Sequence, residues 1–192
     1  FFKNFNIDLM IIACNTASVY ALETLKKQAS FPVVGVVEAG ILALENAQIN
    51  KNDYSLIIAT TATIKSNAYA YALEKKGYSN IESKATGLFV PVVEDGIYEG
   101  AIIDTLMDHY FSNIKQPKHI VLACTHFPLL SNALKKYFGN DIKLIHSGEA
   151  IVEYLEKKYT FKKKFKNTKL TLFASQNPDK LKETAKIWLN KS

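Results

Sequence analysis

The chain has no apolar run approaching the roughly 18 residues that a membrane-spanning helix needs. Its opening, FFKNFNIDLM, lacks an apolar core followed by a small-residue cleavage site, so no secretory signal is legible. Cysteine is scarce: two in 192 residues. Without a signal, that usage fits a protein kept in a reducing cytosol rather than a disulfide scaffold. No C-x-x-C pair occurs, which argues against a thioredoxin-like redox site and against a structural zinc site. Neither G-x-G-x-x-G nor G-x-x-x-x-G-K-S/T is present, so a dinucleotide or P-loop nucleotide site is unsupported. No low-complexity linker divides the chain. It also starts without Met and enters an apolar run almost at once, as the middle of a longer protein would, and an N-terminal portion is expected to precede Phe1.

What is present is enough apolar material for a sizeable core, 48% of residues, in one large domain or two small ones. The net charge is +6, with the lysines dispersed except at Lys157–Lys158 and in KKKFK over Lys162–Lys166. That patch suits either an acidic partner or a solvated loop between a helix and a strand. No aromatic stacking pattern or nucleic-acid motif accompanies it, so neither nucleic acid nor a membrane is expected as a partner.

Apolar, partly β-branched runs alternate with helical spacings along the chain. Strands are expected over Leu9–Ala13, buried on both faces, and over Val33–Val37, Ser55–Ala59, Ile81–Ala85, Leu88–Val92, His119–Ala123, Ile142–Ile145 and Leu170–Ala174. Helices are expected after Cys14, capped by Asn15 or Thr16, and over Glu38–Ala47. Another follows Thr60, with Ala68, Tyr71 and Ala72 inward and a stop at Gly77. Further helices are expected over Ile97–Tyr110 (with Ile102, Leu106 and Tyr110 inward), over Pro128–Phe138, from Ser147 to Lys158, and from Asn177-Pro178 with Leu181, Ala185 and Trp188 inward. The alternation predicts an α/β fold with largely parallel sheets. Two segments echo each other, LMIIACNTAS at Leu9–Ser18 and IVLACTHFPLL at Ile120–Leu130. They are too far apart for solenoid repeats and read as one unit used in each of two similar halves with a cleft between them.

Ligands of open α/β sheets bind beyond the carboxyl ends of the strands. Four polar clusters fall there: Cys14-Asn15-Thr16, Thr60 with Thr63, Glu94, and Cys124-Thr125-His126. Helix starts add backbone N–H groups suited to an anion such as a substrate carboxylate. Only about 3% of an ordinary thiol is ionised at pH 7, and a helix N-terminus raises that share. Two thiols facing each other permit a reaction in which one takes a proton from carbon and the other returns one to the opposite face. His126 could tune the Cys124 thiol, and Glu94 could bind an ammonium or assist a thiol. Other readings stay open on the residues alone: two inert core thiols, a Cys₂His zinc site at Cys14, Cys124 and His126, or a thiol nucleophile with His126 as base.

ACNTAS at Ala13–Ser18 and ACTHFPLL at Ala123–Leu130 resemble the paired cysteine motifs of the glutamate racemases, within the two-cysteine aspartate/glutamate racemase family. PVVGVVEAG at Pro32–Gly40, ATTATIKSNAY at Ala59–Tyr69 and LFVPVVEDG at Leu88–Gly96 match in the same order. The resemblance implies two similar α/β domains with the active site between them, here residues 1–40 with 150–192, and residues 41–149. It implies cofactor-independent, metal-free interconversion of L- and D-glutamate in the cytoplasm for peptidoglycan synthesis, by a homodimer. It places the catalytic bases at Cys14 and Cys124, helped by His126 and Glu94, and substrate contacts at Asn15, Thr16, Thr60, Thr63, Thr125 and His126. Aspartate racemase is the nearest alternative, and a catalytically incomplete anion-binding module is another. The family also opens with a strand ending in Asp-Ser-Gly, which would assist Cys14 and bind substrate. That element is not in this sequence, so the 192 residues alone are expected to racemise little or nothing. Thr86-Gly87 stands where many relatives carry Cys-Pro, a place that is not catalytic in the family.

Overall fold

Every strand pairing in the computed structural model, which describes residues 1–161 and 169–189, is parallel. Strand β1 (Met10–Ile12) pairs with β2 (Val33–Gly35) in a two-stranded sheet. A four-stranded sheet has β3 (Ser55–Ala59) and β5 (His119–Leu122) at its centre, with β4 (Ile81–Ala85) outside β3 and β6 (Lys143–Ile145) outside β5. The helices are α1 (Asn15–Gln28), α2 (Val37–Asn46), α3 (Thr61–Lys65), α4 (Ala68–Lys75), α5 (Phe89–Glu94), α6 (Ala101–Phe111), α7 (Ser131–Phe138), α8 (Ser147–Lys158) and α9 (Pro178–Leu189). The chain divides into two compact units, Phe1–Tyr159 and Thr160–Ser192. All six strands lie in the first, and the second contains α9.

The period-two geometry of a strand sends successive side chains to opposite faces, and the larger sheet uses both. Leu56, Ile58, Ile120, Leu122 and Cys124 face a layer built on Phe89, Ile103, Met107, Phe111, Phe127, Leu134 and Phe138. Ile57, Ala59, Val121 and Ala123 face Ile41, Leu44, Tyr69, Leu73 and Ala150 on the other side. Residues this fully buried contribute on the order of 1.5–3 kcal/mol each relative to exposure. The larger sheet is therefore the rigid half of the molecule. The β1–β2 sheet is thinner, and the expectation that β1 is buried on both faces does not hold: Ile11 is 43% exposed. Its only paired strand among the described residues is β2.

Several expected elements differ. Leu88–Val92 is not a strand but lies at the start of α5, since Pro91 has no N–H to give a sheet ladder and tolerates a helix's first turn. The helix expected from Ile97 begins only at Ala101, after Gly96 (φ +80°) and Gly100 (φ +93°). Its inward face is Ile103, Met107 and Tyr110, while Ile102 is exposed. The helix after Thr60 is broken at Asn67, whose left-handed backbone (φ 57°) resets the phase. Tyr69, Ala70 and Leu73 are consequently buried, and Tyr71 is exposed. Gly77 ends that helix at φ +87°, as expected. Leu170–Ala174 forms no strand, and Leu170, Leu172 and Phe173 are exposed. In α9, Leu181 and Ala185 are half-buried. The Trp188 side chain and the Lys162–Lys166 patch lie outside the described residues.

Candidate active site

The carboxyl ends of the strands carry the polar clusters. Cys14 follows β1, Thr60 follows β3, Thr86 follows β4 and Cys124 follows β5. The two cysteines are free thiols, Cys14 exposed and Cys124 buried.

Cys14 itself is the N-cap of α1, in place of the expected Asn15 or Thr16. Its backbone is extended (φ −77°, ψ 126°), and its Sγ accepts the Ala17 N–H at 3.5 Å. A sulfur in this position faces the unsatisfied N–H groups and positive dipole end of a helix. The turn is pinned by Ser18. Its hydroxyl donates to the Ile12 carbonyl at 2.8 Å and accepts the Val36 N–H at 3.1 Å. Gly35 leaves the necessary room, because a Cβ there would lie 3.0 Å from the Ser18 Cβ.

Cys124 sits in the bend after β5, 7% exposed, among the aromatic residues of the larger core. Its Sγ lies 3.7 Å from His126 Nδ1, and His126 Nε2 lies 3.1 Å from Glu94 Oε1 at the end of α5. An Nε2–H donated to the carboxylate leaves Nδ1 to accept the thiol proton, and an imidazolium would instead donate to the thiolate. The helix expected directly after Cys124 is a 3-10 turn, Phe127–Leu130, leading into α7. Individual backbone N–H groups therefore replace a full helix end. Burial pushes the Cys124 thiol above the ordinary range, and charge on Cys14 and on Glu94 adds to the rise. Hydrogen bonds from the His126 and Phe127 backbones oppose it.

Three hydroxyls close a triangle that joins the start of α1 to the residues following β3. Thr16 Oγ1 lies 2.8 Å from Thr60 Oγ1 and 3.0 Å from Thr63 Oγ1, and the latter two are 3.1 Å apart. Thr60 also caps α3 by accepting the Thr63 N–H at 3.3 Å. Asn15, 2% exposed, has Oδ1 bonded by the Tyr69 hydroxyl at 2.5 Å, whereas its Nδ2 is buried without a partner. Thr125 is exposed in the turn between Cys124 and His126. Direct contacts thus join Thr16, Thr60 and Thr63, with Cys14 and Asn15 next to Thr16 in the chain, and a second chain of contacts joins Cys124, His126 and Glu94. Among the described residues, no group of three or more His, Cys, Asp or Glu side chains is placed to hold a metal ion. No described helix is long and apolar enough to cross a membrane.

The sequence pattern of Asp/Glu/hydantoin racemases matches residues 3–155. The chain belongs to this family. It is 54% identical over 190 residues to the glutamate racemase of Campylobacter jejuni, covering 99% of this chain and 76% of that protein. It is 45% identical over 197 residues to that of Helicobacter pylori strain G27, covering 98% and 77%. The crystal structure of the Campylobacter jejuni enzyme superposes with a TM-score of 0.93 at 53% identity, covering 98% of this chain and 76% of that one. A Francisella tularensis glutamate racemase, solved in complex with D-glutamate, superposes with a TM-score of 0.78 at 28% identity, covering 96% and 70%. The molecule is an amino-acid racemase with the α/β racemase fold.

Two residues of this racemase site carry no signal in the sequence pattern. Ser18 reads as an ordinary helix residue and becomes the tie between β1, α1 and β2. Tyr69 is hidden by the phase change at Asn67. His119 begins β5, buried, with Nε2 2.7 Å from Ser55 Oγ, at the opposite strand end from Cys124.

Proposed function

We propose that the protein interconverts L- and D-glutamate by a two-thiol mechanism at Cys14 and Cys124. The observation that carries the reading is the pair of differently equipped free thiols, each just beyond the carboxyl end of a parallel strand, with Thr16 beside the first bonded to Thr60 and Thr63 after β3 of the larger sheet. In one direction a thiolate takes the α-proton: the C–H bond breaks, an S–H bond forms, and the electron pair stays on carbon, shared with the adjacent carboxylate. The opposite thiol then gives its proton to the other face and becomes the thiolate. The reverse reaction exchanges the two roles, and no cofactor or metal takes part.

Burial favours the protonated form of Cys124, so this thiol rests as the proton donor. His126, held by Glu94, stabilises whichever protonation state the step leaves behind. Asn15, Thr16, Thr60, Thr63 and Thr125 supply donors to the substrate's carboxylates. The 54% identity to the glutamate racemase of Campylobacter jejuni supports glutamate as the substrate; D-glutamate for peptidoglycan as the product, a cytoplasmic setting and a homodimer belong to the same reading. The separate sheets of residues 1–40 and 41–149 support the two-domain division expected from the sequence.

The test is solvent exchange. Incubating the protein at its full natural length with L-glutamate in heavy water should place deuterium on the α-carbon and produce D-glutamate together, with aspartate run in parallel. Faster exchange into aspartate would move the substrate assignment. Racemisation without solvent deuterium would remove the thiol mechanism.

A further inference from the structure

The Asn15 carboxamide is held from one side only. Its oxygen is committed to the Tyr69 hydroxyl, while its buried NH₂ has no partner. A buried donor without an acceptor is destabilising, and such a group in a native site calls for a ligand or another reason to persist. The other half of the contact is equally constrained. Tyr69 is 3% exposed, near the start of α4, and its position there depends on the left-handed Asn67 that re-phases the helix. The hydroxyl is seated against Gly40 of α2, where an added Cβ would lie 2.7 Å from the oxygen and 2.9 Å from Cε1. Any larger residue at position 40 would push the phenol away from Asn15. Three helices therefore converge on one amide beside Cys14. The phenol remains a donor across the whole range of thiol chemistry, since burial, followed by charge on Glu38 and Cys124, pushes it well above its ordinary range.

We infer that Tyr69 is a positioning residue: its hydroxyl, seated by Gly40, fixes the Asn15 carboxamide so that the free NH₂ donates to a carboxylate of the amino-acid substrate. This rests on the racemase reading above and adds the support that makes Asn15 a directed donor rather than a freely turning one. The Asn15 contact forms on binding and persists through proton transfer, so its loss falls on substrate affinity.

The decisive variant is Tyr69→Phe, which removes only the hydroxyl. Kinetics in the active protein should show KM for glutamate raised about tenfold with kcat changed less than about threefold. In the Asn15→Ala background the same substitution should add nothing further to KM. The Asn15 side-chain NH₂ signals, assigned by their loss in Asn15→Ala, should shift on titrating D-glutamate into the wild type and broaden or fail to shift in Tyr69→Phe. Additive KM effects in the double variant, an equal fall in kcat and kcat/KM with KM unchanged, or unaltered NH₂ shifts would overturn the assignment. So would a Tyr69→Phe protein that does not fold, since a positioning hydroxyl is dispensable to the fold. A wild type at full natural length that exchanges no α-proton would instead count against the racemase reading. Wild-type exchange with an unaffected Tyr69→Phe counts against the positioning role alone.

Discussion

Cys14 and Cys124 each follow an apolar run and an alanine, yet the first is exposed on a two-stranded sheet and the second is buried against a four-stranded one. Cys14 draws on a helix N-terminus and a backbone N–H. Cys124 draws on a histidine, a carboxylate behind it, and the N–H groups of a tight turn. The sequence motif is common to both, but what surrounds it is not, and the environment sets the thiol's resting state. Two groups that exchange roles in a reversible reaction need not be equivalent at rest. Burial holds Cys124 toward the thiol form, while Cys14 lies open to solvent.

The strongest challenge to this comparison is to remove each thiol in turn. Cys14→Ser and Cys124→Ser should each reduce racemisation by about 10²–10⁴-fold with folding intact, measured by circular dichroism of the enantiomers. An unchanged rate in either variant would leave that half without a chemical role. Next, His126→Asn should lower kcat by about 10²-fold and Glu94→Gln by about tenfold, with Cys14 reactivity unaltered. Equal effects on both thiols would show that the relay is not private to Cys124. Alkylation by iodoacetamide then reads the resting states. Burial raises the Cys124 thiol, so its thiolate fills only as pH climbs through that raised value. Its labelling midpoint should lie above the ordinary thiol value of about 8.5, and Cys14 should label faster at pH 7 by about tenfold or more.

Smaller effects probe the supports. Ser18→Ala removes the tie between Ile12 and Val36 and should lower stability by about 1–3 kcal/mol in denaturant unfolding. Hydrogen exchange should open first around β1 and β2, and uniform loss of protection would mean the two sheets unfold as one. Least of all, Thr86→Val should be neutral or stabilising by up to about 1 kcal/mol, because the Thr86 hydroxyl is fully buried without a partner. A clear loss of stability would mean that this hydroxyl has a role of its own beside the Cys124 half.

The parts of the molecule that were legible in the sequence are those governed by local chemistry. Ser55–Ala59 and His119–Leu122 announce themselves because a strand buried on both faces tolerates little but apolar residues. The polar residues that end those runs locate the site, since backbone topology alone places strand ends together. Leu88–Val92 was equally apolar, and only Pro91 distinguished helix from strand. Tyr69 lay beyond reach because its burial depends on a left-handed turn at Asn67 and on an empty space at Gly40, neither of which has a periodic signature. The Cys124–His126 pairing could be read from spacing, but the closing carboxylate, Glu94, depends on how α5 packs against a segment distant in sequence.

The threonine triangle has a consequence in proton counting. Three hydroxyls carry three protons, and a closed ring of three hydrogen bonds uses all of them. A carboxylate only accepts, so each bond it receives from Thr16, Thr60 or Thr63 is withdrawn from the ring. An ammonium only donates and can be met by oxygen lone pairs while the ring stays closed. The same three side chains therefore present a reversible latch to an anion and a fixed surface to a cation. Opening that latch loosens the link between the helix that begins at Cys14 and the one that follows Thr60.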